Sequence, residues 1–276
     1  MPRSSPITMT FPPFAGAVRK IVLANVAVFF AIAILQWIIP VPAHILVGHL
    51  MLQPASVAHG EVWQLATYSF IELGILGILF SSLTLWLCGS LLEGAYGSRF
   101  LAELYFLSTI GGALVASVLS FTRILHLTPV AIATGAFAGI FGILVAIALR
   151  MGDLEFLLFP LPIRIRAKYL VAIYTLIDVA MLLKGGDPFS ALLHLSGGFC
   201  GFLYLQFAPR RGFAFGFSER VFGLRNSWYR AKRRRAARKF EVYMGKQGRK
   251  VHFDKEGRYI DPDEARKDPN DKRWMN

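Results

Sequence analysis

The residues of this chain whose types and spacing could do chemistry are few, and they lie in apolar surroundings. His194 follows Ser190 by one helical turn, a spacing at which side chains on a helix touch. An imidazole beside a serine hydroxyl is the arrangement that turns a weak nucleophile into a reactive one. The same two residues also read as structure: Ser190 satisfies backbone groups in the first turn of a helix, and His194 hydrogen-bonds inside a bundle. The structural reading is favoured, because no serine or cysteine occurs between Ser120 and Ser190. Asp178 is the most isolated charge, and an ionisable residue inside a bilayer is treated as functional by default. A protonated acid bonded to a neighbouring helix is the competing reading. Cys88 and Cys200 sit in apolar segments and read as small packing residues. No CxxC, no HExxH and no Gly-rich phosphate loop is present, so no metal site and no cofactor is expected.

The elements that hold these residues are membrane spans. The chain is 55% hydrophobic, more than a soluble domain of 276 residues needs. Six apolar stretches approach the roughly 20 residues that cross a bilayer core: 21–39, 72–92, 100–121, 130–149, 167–183 and 189–207. The first is longer than the apolar region of a signal peptide and starts deep in the chain, so it reads as a retained anchor. Asp187-Pro188 reads as the N-cap and first residue of the last span. Glycines recur at four-residue spacing, Gly135 with Gly139 and Gly197 with Gly201. In a bilayer such pairs, and Gly142 nearby, let helix backbones approach closely.

Charge divides the chain into a cytoplasmic N-terminal segment (1–20), a membrane domain (21–208) and a basic tail (209–276). From Pro209 onward the sequence holds 20 of the 30 Lys and Arg residues but 9 of the 17 acids, a net of +11 out of +13. Lys and Arg near span ends favour the cytoplasmic side. Arg19 and Lys20, Arg99, and Arg150 to Lys168 alternate with basic-poor loops, so both termini are expected to be cytoplasmic. Residues 40–71, which lack Lys and Arg, form the large outside loop. The run Arg233, Arg234 and Arg235, with Trp228 and Tyr229 nearby, fits lipid headgroups; nucleic acid is the disfavoured partner. A small hairpin is expected around 251–260.

From Trp63 to about Phe207 the chain resembles the rhomboid family of intramembrane serine proteases. The resemblance rests on Trp63-Gln64-Leu65, Leu85-Trp86-Leu87, Gly89, Glu93, Gly97-Ser98-Arg99 and Gly111-Gly112. It continues through Gly135-Ala136-Phe137-Ala138-Gly139-Ile140-Phe141-Gly142, Phe159-Pro160-Leu161-Pro162 with Ala167-Lys168, and His194-Leu195-Ser196-Gly197 with Gly201. It implies an all-α membrane protein, a rhomboid-like bundle of six transmembrane helices with a basic cytoplasmic tail, expected in a bacterial inner (plasma) membrane.

Active members of that family use a serine on the fourth helix, activated by the sixth-helix histidine, with second-helix histidine and asparagine side chains supporting the oxyanion. The resemblance puts Phe137 at the nucleophile, or Ala138 if the frame shifts by one. It puts Glu72, Gly77 and Ser81 at the oxyanion-side positions, and of the catalytic set only His194 remains. The expectation is a pseudoprotease that binds transmembrane segments of client proteins, with membrane lipids as further partners. Two alternatives stand beside it. One is an active intramembrane endopeptidase using a non-standard nucleophile such as Ser190, Ser81 or Thr134. The other is a membrane scaffold acting through its basic tail.

Overall fold

The computed structural model describes residues 12–158, 163–184, 186–207, 213–247, 251–253 and 259–260. The chain divides into two compact units, Met1–Gly212 and Phe213–Asn276. The first is a helical bundle built on α1 (Gly16–Ile38), α5 (Ile75–Tyr96), α6 (Ser98–Ser120), α7 (Phe137–Arg150), α8 (Ala167–Lys184) and α9 (Pro188–Phe207). Between α1 and α5 run three short helices, α2 (Pro40–Leu50), α3 (Pro54–Ala58) and α4 (Gln64–Thr67). Residues 40–71, expected to be a loop, are therefore largely helical.

Among the described residues four helices are long and apolar enough to cross a membrane: α1, α5, α6 and α9. The other two expected spans differ for separate reasons. α7 has 14 residues, about 21 Å at 1.5 Å per residue, because residues 130–136 are not helical. Ala133 instead bridges Leu52 in antiparallel fashion, with both backbone bonds at 3.0 Å. α8 has the expected extent, 18 residues, but carries Lys168, Asp178 and Lys184. Before it a hairpin of β1 (Glu155–Leu158) and β2 (Ile163–Arg166) replaces part of the expected connection. The Phe159–Pro162 motif lies outside the described residues. Lys168 donates to Asp153 at 2.9 Å and holds that loop carboxyl below its usual range.

The core is organised by backbone approach. α9 packs most closely on α6 and α7. A Cβ on Gly112 of α6 would lie 2.7 Å from the Gly197 Cα, and one on Gly201 would lie 2.7 Å from the Gly142 Cα. Gly139 faces Tyr105 and Thr109 of α6, and Gly142 faces Ser108. Cys200 lies against Gly111, consistent with a packing thiol. The Ser196 hydroxyl ties α9 to α6 by donating to the Gly112 carbonyl at 2.9 Å. Gly135 departs from the expected helix-packing role, since it precedes α7 with φ of +102°.

The N-terminus of α1 has no cap of its own, and Glu93 at the far end of α5 supplies one. Its carboxylate accepts the Ala17 N–H at 2.7 Å and the Val18 N–H at 2.9 Å, and it also accepts the Ser98 hydroxyl. Gly16 lies in the left-handed region (φ +59°), where a Cβ would run into that carboxylate. At the start of α9, Asp187 accepts the Ser190 N–H at 3.1 Å, the N-cap expected from Asp187-Pro188. The second unit contains α10 (Phe213–Lys246) and a two-stranded pair, β3 (His252–Phe253) with β4 (Tyr259–Ile260), at the expected hairpin.

Two substitutions rank these features. Glu93→Ala removes two charge-assisted bonds to orphan N–H groups and should lower stability by about 2 kcal/mol. Gly197→Val drives a branched side chain into the Ala138 backbone and should cost about 3 kcal/mol. Thermal unfolding in detergent micelles checks both, with the larger drop in midpoint expected for Gly197→Val.

Candidate functional site

The site is assembled at one end of the bundle, where three segments converge on the start of α7. The stretch 133–136 is stitched to the region before α5. Leu52 pairs with Ala133, the Gly135 N–H donates to the Tyr68 carbonyl at 3.0 Å, and the Ala136 N–H donates to Glu72 Oε1 at 3.4 Å. Tyr68 is itself anchored, its hydroxyl donating to the Thr109 carbonyl of α6 at 3.0 Å. These bonds deliver Phe137, the first residue of α7, to a fixed place.

That place is against His194. The Phe137 ring centroid lies 5.6 Å from the imidazole, and Phe141, one turn on, stacks on it at 5.7 Å with planes 19° apart. The aromatic pair, both on α7, covers a flank of the imidazole. His194 Nδ1 lies 3.3 Å from Asp178 Oδ1 of α8. Asp178 is 6% exposed, and its second oxygen, Oδ2, is buried with no hydrogen-bond partner. Asp178 of α8 and His194 of α9 are therefore partners, a pairing the sequence held no signal for across 16 residues and a helix boundary.

Glu72 completes the site. It is 8% exposed, with its carboxylate held between two glycines: a Cβ on Gly77 would lie 2.6 Å from Oε2, and one on Gly135 would lie 3.1 Å from Oε1. Ser81 is beside it, and His194 is within electrostatic range. A carboxylate at the N-terminal end of α7 is favoured by the orphan N–H groups and dipole there. Glu72, Gly77 and Ser81, singled out separately, are thus one neighbourhood, and they adjoin Phe137 and His194.

None of the alternative nucleophiles is hydrogen-bonded to His194 among the described residues. Ser190 donates its backbone N–H to Asp187, and among the described residues no hydrogen bond joins its hydroxyl to His194. The Ser81 hydroxyl is buried and directed to the Ile78 carbonyl at 3.4 Å. Thr134 lies in the stretch leading into α7, two residues before its N-cap. No group of three or more His, Cys, Asp or Glu suited to a metal ion occurs among the described residues.

Comparison with known proteins agrees with the architecture. Residues 22–216 match the family described as eukaryotic integral membrane protein (DUF1751). The chain is 29% identical over 183 residues to Rhomboid-like protein 19 of Arabidopsis thaliana, covering 60% of this chain and 59% of that protein. It is 34% identical over 93 residues to Rhomboid protease GluP of Bacillus subtilis, covering 34% of this chain and 17% of that one. The chain thus spans less than two thirds of either relative. A family of eukaryotic membrane proteins does not fit the expected bacterial inner membrane. The expectation came from motifs shared with bacterial proteins, which report a common bundle rather than a compartment.

The His194–Asp178 pair has a separable energetic signature. His194→Leu leaves a buried carboxyl without its partner and should cost about 1–3 kcal/mol. Adding Asp178→Leu should recover part of that loss, because removing both members of a buried pair is less costly than removing one. Thermal midpoints of the two single variants and the double variant in micelles supply the cycle.

Proposed function

The chain belongs to the DUF1751 family of eukaryotic integral membrane proteins, a rhomboid-like family, and on that premise we propose that it is a pseudoprotease that binds client transmembrane segments without cleaving them. The observation that carries this reading is the aromatic packing of Phe137 and Phe141 on His194, whose imidazole is hydrogen-bonded among the described residues to Asp178 and not to a hydroxyl or thiol. Glu72 adds to it. Acyl transfer needs hydrogen-bond donors aimed at a developing oxyanion. Here an acceptor engages the Ala136 N–H beside Phe137.

Six crossings with cytoplasmic termini are part of the same reading. α7 is flanked by α5, α6, α8 and α9, which shield its polar ends from lipid and allow a short helix at membrane depth. Its length therefore accords with a central position in the bundle. α5 and α8 both pack on α7 but share no extended interface, and their outer faces carry exposed Leu76, Leu79, Leu176 and Ile177. The gap between them is the proposed seat for a client helix. In the second unit Arg233 and Arg235 of α10 are exposed, and Lys232 lies over the Trp228 ring at 5.4 Å. The Arg234 side chain lies outside the described residues. We assign to this helix electrostatic attachment to anionic lipid, at about 1 kcal/mol per basic residue near the surface.

Wild type, Phe137→Ser and His194→Ala, incubated in vesicles with a rhomboid substrate, test the proposal. No cleavage is expected from any of them, while photocrosslinking to the substrate helix persists. Phe137→Ser should remain at least two to three orders of magnitude below an active rhomboid, the scale of a missing oxyanion donor. Cleavage by wild type that His194→Ala abolishes would overturn the proposal. So would crosslinking no stronger than to an unrelated six-helix membrane protein.

A further inference from the structure

The connection from α6 to α7, residues 121–132, is apolar and exposed at once. Phe121, Ile124, Leu125, Val130 and Ile132 all lie open, Ile124 by 62% and Val130 by 65%. Exposed apolar surface gathered in this way marks an interaction or membrane site. The backbone is held so as to keep it open. Arg123, Leu125 and His126 adopt φ of +57°, +55° and +60°, a region that residues other than glycine rarely enter and that persists where the surroundings over-determine it. The base of the loop supplies that constraint. Leu127 is buried, the Pro129 carbonyl accepts the Ala55 N–H at 2.8 Å, and the Val130 carbonyl accepts the Gln53 side-chain amide at 3.3 Å.

Three observations identify what covers the tip. Exposed Leu114, Val118 and Phe121 fall on one face at helical spacing, so the outer surface of α6, a helix long and apolar enough to cross a membrane, runs without a break into Ile124. The loop also meets much of its own N–H demand: Phe121, Thr122 and Arg123 donate to the Val118, Leu119 and Ser120 carbonyls, Ile124 to the Thr122 hydroxyl and Leu127 to the Ile124 carbonyl. That lowers the cost of bringing irregular backbone to the edge of lipid. Finally, the sequence has no acid between Glu103 and Asp153, while Arg123 and His126 are exposed in the tip, a charge pattern suited to phosphate. We propose that residues 121–132 are a lipid-inserting wedge: Phe121, Ile124, Leu125 and Val130 enter the boundary between headgroups and acyl chains of a phospholipid bilayer, with Arg123 and His126 at the level of the phosphates. Since the loop continues through Ala133 into α7, the wedge sets the depth at which Phe137 and His194 lie. The assignment is independent of client binding.

The test uses the full chain in phosphatidylcholine vesicles, with the fluorophore NBD attached at Ile124→Cys or Val130→Cys in a Cys200→Ala background, Cys88 being buried. Two quenchers are compared, a nitroxide on the lipid acyl chain and iodide in the water. A label at Val118→Cys on α6 is the lipid reference, and NBD-cysteine in solution is the water reference. The lipid nitroxide should quench the Ile124 and Val130 labels to within about twofold of the Val118 label, and iodide should quench them at least about fivefold less than free NBD-cysteine. Either loop position suffices if the other variant does not fold, and the Val118 label reports whether the bundle has inserted. Quenching by iodide and not by the nitroxide would put the tip in water and overturn the proposal. Quenching by neither would mean that protein, a second copy or another chain, covers the tip, and would overturn it as well.

Discussion

In a bilayer, helices gain nothing by burying apolar side chains against one another, since lipid is as apolar as leucine, so association depends on how closely backbones approach. In this chain that approach happens where α9 meets α6 and α7. Gly112 faces Gly197 and Gly142 faces Gly201, with no room for a methyl group at either crossing. Because His194 lies one turn before Gly197 on α9, the same crossing sets its depth and brings it to the first turn of α7. The spacing of imidazole, Phe137 and Phe141 is a by-product of a backbone contact made by other residues.

A second constraint acts on the segment before α7. Its backbone groups need partners, and they find them in residues 52–72 rather than in a longer helix: Leu52, the Tyr68 carbonyl and the Glu72 carboxylate. This explains why α7 is short and why the region between α1 and α5 is organised into helices. Satisfying Ala136 with a side-chain carboxylate has a consequence for chemistry. The N–H beside Phe137 is engaged by an acceptor, and the space at Gly77 and Gly135 is filled by that same side chain.

Glu93 plays a comparable part at the opposite end of α5, closing the N-terminus of α1 against the turn at Gly97. Two carboxylates, Glu72 and Glu93, thus serve orphan N–H groups of helices other than their own. Both rely on glycines that leave space for them, Gly77 and Gly135 in one case and Gly16 in the other. The site is built from the same type of interaction that holds the bundle.

What the sequence determined by itself was the membrane class, the helical character, the small residues at crossings, the Asp187 cap and the absence of serine and cysteine from 121–189. Those features are written in run length, composition and local spacing. It also carried enough order of motif for the rhomboid-like family to be read from Trp63 onward. Tertiary structure decided the rest. The start of α7 at Phe137 follows from a bridge between Leu52 and Ala133, 81 positions apart, which no apolar window registers. Gly135 looked like a packing residue by spacing and serves as a turn beside Glu72. The joining of Asp178 to His194, and of Glu72 to Ala136, depends on which helices are neighbours, and neighbour relations in a bundle are set by backbone approach rather than by any local pattern along the chain.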